Sequence, residues 1–159
     1  CGQHDKSLQW QSMPSMSNWF MQTYKEIRKH SQRPILLRPH PRCRLPNIEL
    51  GLEKVYRQEP RKLTGTYDDF DMKFDNIWAT ISWSSNPGIH SIINGVPAFV
   101  SNSSLAYPVA NDIDFLHDIE DPHMGGRQAW LNDYAHTEYT VDEIAKGIPL
   151  TNLLDQITS

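Results

Sequence analysis

The stretch NIWATISWSSNPGIHSIINGVPAFV, residues 76–100, decides the predicted fold. Residues 76–83 are rich in β-branched and aromatic side chains, which predicts a strand. Residues 87–94 carry apolar side chains at helical spacing, follow an asparagine and open on a proline, which is typical of a helix start. Residues 97–101 predict a second strand. A strand, a helix and a strand in this order form a parallel unit with a right-handed crossover.

The chain before this stretch continues the alternation of helices and strands. A helix that begins at a capping serine is predicted over 17–30, and a short buried strand follows at 35–37. We also expect a helical turn near 50–56, a short edge strand at 62–64 and a short helix at 67–74. This alternation predicts the α/β class, with a Rossmann-like parallel sheet flanked by helices.

The end of the chain predicts a helical segment. Residues 127–136 read as a helix with its apolar side chains, Ala129, Trp130, Leu131 and Tyr134, packed inward. A second helix begins with a capping box at Thr140 and ends at Gly147. The tail, 150–157, is either a last helical turn or a strap. We therefore expect a Rossmann-like part at 1–124 and a helical extension at 125–159 that packs on it, together forming one structural domain.

The composition suits one folded domain. The chain has 159 residues with 5 Trp, 6 Tyr and 5 Phe, and its formal net charge is −4, so neither a disordered chain nor a basic nucleic-acid-binding domain is indicated. No run approaches the roughly 18 apolar residues of a membrane-spanning helix. The two cysteines, Cys1 and Cys43, form no CxxC pair, which favours a reducing compartment.

The junction between the predicted strand and helix is the first candidate site. Ser84, Ser85 and Asn86 offer hydroxyl and amide groups at the start of the helix, and Gly88 leaves room for close backbone approach. Unpaired N–H groups and the positive end of the helix dipole at such a junction suit a phosphate or diphosphate. The same residues also make an ordinary capped helix, and the residue pattern favours neither interpretation.

A second candidate is the turn RPHPR at 38–42, which follows the predicted strand at 35–37. Arg38 and His40 stand on a loop stiffened by prolines, and arginine pairs well with phosphate oxygens. The turn should lie at the same sheet edge as the first candidate, because the carboxyl ends of parallel strands share an edge. A solvated basic turn is the alternative, and the pattern slightly favours it.

Histidines and acids supply the remaining candidates. Residues 112–123 are rich in acids, but their spacing matches neither an EF-hand nor HExxH, so we expect a solvated acidic loop and no metal site. His90 lies one turn into its helix and either reaches a ligand or packs. His4 is either a residue of the terminal loop or a site residue.

Several segments together resemble the donor half of two-Rossmann (GT-B) glycosyltransferases related to capsular-polysaccharide and phage enzymes. Residues 1–3, CGQ, resemble the strand-ending GQ that opens this half. The turn RPHP at 38–41 and the segment SNPGIHSIINGVP at 85–97 are similar to two further motifs of the group. RQAWL at 127–131 and AHTEYTVDEIAKG at 135–147 resemble its C-terminal segment.

The resemblance implies a domain that binds a nucleotide diphosphate-sugar as donor, without an obligatory metal or cofactor. The reaction would transfer a sugar to an acceptor hydroxyl of a glycan or of a hydroxymethylated DNA base. The general base would come from an N-terminal acceptor domain of the same protein, ahead of Cys1. A cytoplasmic location in a bacterium or a phage-infected cell is expected.

Site roles follow residue by residue from the resemblance. It places Gln3 and His4 at the donor cleft and brings the catalytic candidates Arg38 and His40 to the diphosphate or sugar. It also implies that four junction residues contact the phosphates, namely Ser84, Ser85, Asn86 and Gly88. His90 stands where the group usually has glutamate, a departure that weakens any statement about nucleotide selection.

Two other interpretations remain open at this point. One is a nucleotide-sugar epimerase or hydrolase with the same two-domain layout. The other is a non-catalytic domain that keeps the fold for binding or assembly.

Overall fold

The computed structural model describes the following parts of the chain: residues 15–40, 45–59, 61, 63 and 71–158. The chain divides into two compact units, Cys1–Met124 and Gly125–Ser159. The first unit is a mixed α/β structure in which every described strand pair is parallel. The second unit consists of helices.

The first unit contains both helices and strands, as the predicted α/β class requires. In chain order they are α1 (Met16–His30), β1 (Ile35–Leu37), β2 (Val55–Arg57), β3 (Thr80–Ile81), α2 (Asn86–Ile93), β4 (Ala98–Val100), a 3-10 turn (Tyr107–Val109), β5 (Asn111–Asp112) and a second 3-10 segment (Ile113–Asp118). The second unit contains α3 (Arg127–Ala135), α4 (Val141–Ala145) and α5 (Ile148–Thr158).

The described strands form two small parallel sheets. β1 pairs with β2, with Leu36 opposite Tyr56. β3, β4 and β5 form the other sheet in that order, and Phe99 of β4 stands between Ile81 and Asn111. The parallel strand–helix–strand unit predicted within 76–100 is therefore confirmed.

The strand predicted at 76–83 is shorter than expected because its first half is a turn. Asn76 adopts a φ of 60°, in the left-handed region, which interrupts an extended backbone. The N–H of Ile77 donates to the carbonyl of Phe74 at 3.1 Å, which closes the turn. Only Thr80–Ile81 pairs with β4.

The helical turn predicted at 50–56 is wrong, because this region leads into β2. Gly51 and Lys54 have φ values of 82° and 55°, which a right-handed helix does not allow. Arg28 of α1 donates from Nη2 to the carbonyl of Glu53 at 3.0 Å, so a distant helix fixes the approach to the strand.

The two other elements predicted before β3 fall mainly outside the described residues. This applies to most of the edge strand at 62–64 and to the first part of the helix at 67–74. Residues 71–74, the described part of that helix, are not helical.

One apolar core serves both sheets. Phe99 of β4 is fully buried and clusters with Ile27 of α1 and with Leu116 and Ile119, which follow β5. Ile35 of β1 and Ala79 and Ile81 around β3 pack against the same cluster. Helix α1 contributes Ile27 to this cluster, and its main packing partner is the 3-10 segment that follows β5.

Helix boundaries follow the predicted capping chemistry with shifts of one or two residues. Ser15, two residues before the predicted cap, accepts a hydrogen bond from the N–H of Asn18 at 3.2 Å and caps α1. Ser85 is the N-cap of α2 in place of Asn86. Gly95 has a φ of 77° just beyond α2, the left-handed position that suits glycine.

The second unit confirms the predicted capping box. The Thr140 hydroxyl accepts from the N–H of Glu143 at 3.3 Å, while the Glu143 carboxylate accepts from the N–H of Thr140 at 2.7 Å. Gly147 has a φ of 74° and ends α4. The tail is an 11-residue helix, α5.

The inward packing predicted for the apolar side chains of α3 is wrong, since none of its residues is buried. Trp130 and Tyr134 instead stack on each other along the helix, with ring centroids 5.0 Å apart. Their spacing of four residues brings the two rings together on one face of the helix.

Among the described residues, no helix combines the length and the apolar character that crossing a membrane requires.

Candidate functional site

The junction between β3 and α2 presents polar groups at the surface. Ser85 has an extended backbone, with φ −87° and ψ 154°, and its side chain makes no capping hydrogen bond. Ser84 is half-buried, whereas Ser85 and Asn86 are exposed. Hydroxyl and amide groups therefore lie beside the first turn of α2, where the helix dipole favours an anion.

Gly88 has a packing role inside this junction. It is buried, and a Cβ atom built on it would lie 2.8 Å from Ser82 Oγ and 3.0 Å from Val100 Cγ1. Glycine is therefore the residue that lets α2 approach β3 and β4 closely. The exposed neighbours Ser85 and Asn86, rather than Gly88, are the groups that a ligand could reach directly.

Two hydroxyl groups of the same strand lack partners within the described residues. Thr80 Oγ1 and Ser82 Oγ are buried and accept or donate no hydrogen bond there. Burying a hydroxyl without a partner costs about 1–3 kcal/mol. The carboxyl end of β3 thus contains a polar atom, Ser82 Oγ, next to the first turn of α2 with unused hydrogen-bonding capacity.

A cavity of about 150 Å³ lies at the carboxyl ends of β3, β4 and β5. Its lining residues each follow or end one of these strands and are Trp83, Ser101, Asn102, Asp112, Ile113 and Asp114. In open parallel sheets, the carboxyl edge is where ligands bind. The cavity therefore occupies the position that the fold class favours for a site.

Ser101 lines this cavity and is held in place by hydrogen bonds. Its N–H and its hydroxyl both donate to the carbonyl of Trp83, at 2.9 and 3.0 Å, which ties the ends of β3 and β4 together. Ser101 Oγ also lies 2.6 Å from Ser103 Oγ. Because Ser101 is buried, these bonds hold the backbone of Trp83 in place.

Asp112, another lining residue, is held by two hydrogen-bond donors. The Tyr107 hydroxyl donates to Oδ2 at 2.8 Å, and the N–H of Asp114 donates to Oδ1 at 2.9 Å. The hydrogen bond to Asp112 raises the pKa of Tyr107, since losing the phenolic proton would remove it and place two negative charges together. These two hydrogen bonds fix the orientation of the Asp112 carboxyl group.

Arg38 lies on the other sheet and is anchored there. Its Nε donates to Gln58 Oε1 at 2.6 Å, and its Nη1 donates to the carbonyl of Lys73 at 2.9 Å. Partial burial lowers the pKa of Arg38, and nearby Asp71 opposes this shift. The guanidinium stays charged at neutral pH and has a fixed position at the carboxyl end of β1.

The remaining predicted site residues are dispersed. His40 is half-buried two residues after Arg38, and His90 is half-buried within α2. Gln3 and His4 lie outside the described residues. Because β1 and β3 belong to separate sheets among the described strands, the shared edge assumed for Arg38 and Ser85 is not formed by direct strand pairing.

The acidic segment 112–123 has structural functions at several positions. Glu120 pairs with Arg33 at 3.0 Å, and Trp78 Nε1 donates to the carbonyl of Ile119 at 2.8 Å. Arg33 also stacks over the Trp78 ring at 3.9 Å. Within the described residues, no three or more His, Cys, Asp or Glu side chains lie close enough together to hold a metal ion.

Four polar or aromatic residues of the cavity region were not predicted from the sequence, namely Trp83, Ser101, Asn102 and Tyr107. Trp83 and Ser101 each follow a strand, so the rule that ligands bind at the carboxyl edge could have identified them. Tyr107 gave no such signal, because its role depends on the fold of the 3-10 turn against Asp112.

Comparisons with known proteins leave the resemblance to glycosyltransferases a prediction. No family model, curated protein or solved structure matches this chain.

Proposed function

We propose that the two parallel sheets are halves of one Rossmann-like sheet. In the pair β2-β1 the later strand lies on the outside, and in β3-β4-β5 each later strand lies further out, which are the directions of the two halves of the doubly wound order 3-2-1-4-5-6.

Two contacts support this arrangement. Ile35 of β1 and Ile81 of β3 pack against the same core cluster. Arg33, just before β1, stacks over Trp78, just before β3, at 3.9 Å. The starts of the two strands are therefore neighbours although the strands do not pair with each other.

Within this fold, the function that the geometry supports best is donor binding in a glycosyltransferase. The observation that carries it is the carboxyl edge of β3–β5, where the polar first turn of α2 adjoins a polar cavity. A helix N-terminus suits the diphosphate of a nucleotide-sugar. It also stabilises the negative charge that the leaving diphosphate gains in the transition state.

Arg38 would supply the positive charge that the segment containing β3–β5 and α2 lacks. Residues 74–126 contain no Lys or Arg, so a diphosphate beside α2 must be neutralised from elsewhere. Arg38 is anchored by Gln58 and the carbonyl of Lys73, which limits the entropy lost when it binds an anion. His40, on the same turn, would contact the diphosphate or sugar.

The acceptor would be a hydroxyl of a glycan or of a modified DNA base. The general base would come from a further domain of the same protein. The donor would be a nucleotide diphosphate-sugar held without an obligatory metal.

Binding of nucleoside diphosphates to the full chain tests the proposal. UDP, GDP, ADP and dTDP are titrated by calorimetry against wild type, Ser85→Ala and Arg38→Ala, with Arg61→Ala as the matched control. One of the four should bind, and each site variant should weaken its affinity about tenfold, because a charge-assisted hydrogen bond contributes about 1.5–3 kcal/mol. Arg61 is an exposed arginine of the same unit, so its variant should bind normally.

The Ser85 side chain makes no capping hydrogen bond. Ser85→Ala therefore tests ligand binding without removing a hydrogen bond that stabilises α2. Failure of all four nucleotides to bind, or unchanged affinity in both site variants, would contradict the proposed function.

A further inference from the structure

The second unit has exposed apolar side chains and no buried residue among those described. Every residue of 125–158 is exposed or half-buried. The three helices of the unit are 9, 5 and 11 residues long. Helices shorter than about 12–15 residues are marginal in water unless an apolar face packs against another element. The unit therefore needs an apolar surface beyond the one that its own helices supply.

Helix α5 carries apolar side chains along one face. They follow the spacing i, i+3, i+4, i+7, which places them within an arc of about 100° around the helix axis. These residues form the α5 stripe and are Leu150, Leu153, Leu154 and Ile157. Each of the four is between 52% and 71% exposed. Val141 and Ile144 of the neighbouring α4 are exposed as well.

The charges of α5 do not suit a membrane surface as the partner of this stripe. Helices that lie on membranes carry Lys and Arg beside their apolar face, where these side chains attract anionic lipids. Residues 147–159 contain no Lys or Arg. Their one charged side chain, Asp155, stands on the face opposite the stripe by the periodicity of the helix.

The same features suit a second copy of the chain. The stripe is uncharged, and so are Thr151 and Thr158 at its margin, so two stripes can meet without like-charge repulsion. The four side chains of the stripe each expose on the order of 100 Å². Two stripes that pair, together with their margins and the exposed apolar residues of α4, would bury more than about 1,000 Å², the area that a specific interface needs.

We propose that the α5 stripe pairs with the α5 stripe of a second copy, so that the second unit forms the interface of a two-fold symmetric dimer. In such an interface the same surface serves both copies, which a single self-complementary stripe satisfies. The inference does not depend on the proposed function, because it concerns residues of the second unit alone.

Sedimentation velocity of the full chain tests the proposal between about 1 and about 300 μM protein. Wild type should show a monomer–dimer equilibrium with a dissociation constant in the micromolar range, since an interface near the lower limit of size gives modest affinity.

Leu153→Gln/Leu154→Gln should weaken the dimer about tenfold or more, because buried apolar side chains at the centre of an interface carry most of its affinity. Glutamine is a good helix former, so α5 keeps its helical propensity. The matched control Thr151→Gln/Asp155→Gln changes two exposed residues of α5 outside the stripe and should dimerise as wild type does. Leu153→Met/Leu154→Met keeps the volume and apolar character and should also dimerise.

Amide hydrogen exchange on wild type provides a second measurement that needs no variant. Association stabilises the paired helix, so exchange within Ile148–Thr158 should slow at least about fivefold between the lowest and the highest concentration. Exchange within α1, Met16–His30, should stay constant.

A chain that stays monomeric over the whole concentration range overturns the proposal and would mean that the stripe is covered within one molecule. A dimer that persists unchanged in Leu153→Gln/Leu154→Gln overturns it as well, because the interface would then lie elsewhere. Binding of wild type to vesicles of phosphatidylcholine and phosphatidylserine, without dimer formation, would assign the stripe to a membrane surface instead.

Discussion

At the scale of single residues, Gly88 shows how the same residue type serves packing or ligand binding. From the sequence, glycine near a helix N-terminus suggests close approach to a phosphate. In the folded chain its missing side chain accommodates Ser82 and Val100, and Gly88 itself is buried. The residue therefore affects the candidate site by positioning α2.

Replacing Gly88 with alanine should destabilise the first unit by about 1–3 kcal/mol, the usual effect of overpacking a core. The added Cβ would stand 2.8 Å from Ser82 Oγ. Urea denaturation measures the change, and Ser85→Ala, an exposed substitution on the same turn, should stay within about 0.5 kcal/mol of wild type. If the two variants were equally stable, α2 would be able to shift away from Ser82 and Val100 at no measurable cost in free energy, and the packing role of Gly88 would be contradicted.

A second residue-scale prediction concerns the ion pair between Glu49 and Arg57. Arg57 Nε donates to the Glu49 carboxylate at 2.8 Å, and this hydrogen bond lowers the pKa of Glu49 below its usual 4.5. A depressed pKa in the folded state contributes stability above the unfolded value and loses it as the pH falls through the folded value. The pair therefore stabilises the fold at neutral pH and weakens under acid conditions below 4.5.

Thermal unfolding of Glu49→Gln against wild type measures this contribution. The difference in Tm should be largest near neutral pH and should shrink as the pH falls below 4.5. Glu53→Gln, an exposed glutamate of the same loop, is the control and should show little difference at any pH. A Glu49 difference that is constant with pH would contradict the ionic origin of the effect.

At the scale of elements, local signals defined helix ends well and strand ends poorly. The capping box at Thr140 and the left-handed Gly147 follow from residues within one turn of each other, so the sequence contains all the information. β2 depends on pairing with β1, some twenty residues earlier in the chain, and no pattern within 50–56 reveals that partner.

Removing the cap of α4 should loosen that helix alone. Thr140→Ala deletes the hydroxyl that accepts from the N–H of Glu143, which costs about 1 kcal/mol. Amide hydrogen exchange within Val141–Ala145 should accelerate about fivefold. Thr140→Ser keeps the hydroxyl and should restore protection, whereas a serine variant as fast as alanine would mean that the cap contributes nothing.

At the scale of the whole molecule, the first unit depends on one core that both sheets share. Phe99 is fully buried in the central strand β4 and contacts the cluster formed by α1 and the segment after β5. Strands of both sheets therefore lose packing contacts if the Phe99 side chain is removed.

Phe99→Ala should destabilise the first unit by about 3–5 kcal/mol, a large share of the stability of a typical domain. Phe115, which is 53% exposed, provides the matched control, and Phe115→Ala should cost less than about 1 kcal/mol. Chemical denaturation with near-ultraviolet detection measures both variants. Comparable losses would show that Phe99 is not central to the core.

The sequence by itself determined the α/β class, the parallel strand–helix–strand unit, the capping box at Thr140 and the helix-ending glycines Gly95 and Gly147. Each of these depends on side-chain periodicity or on hydrogen bonds within a few residues. Only the tertiary structure decided that β1–β2 and β3–β5 form separate pairings around one core, that Gly88 packs, and that Trp83, Ser101 and Asp112 surround a cavity. These features join residues far apart in the chain, and a local pattern cannot specify which distant partner a strand end or a carboxylate will meet.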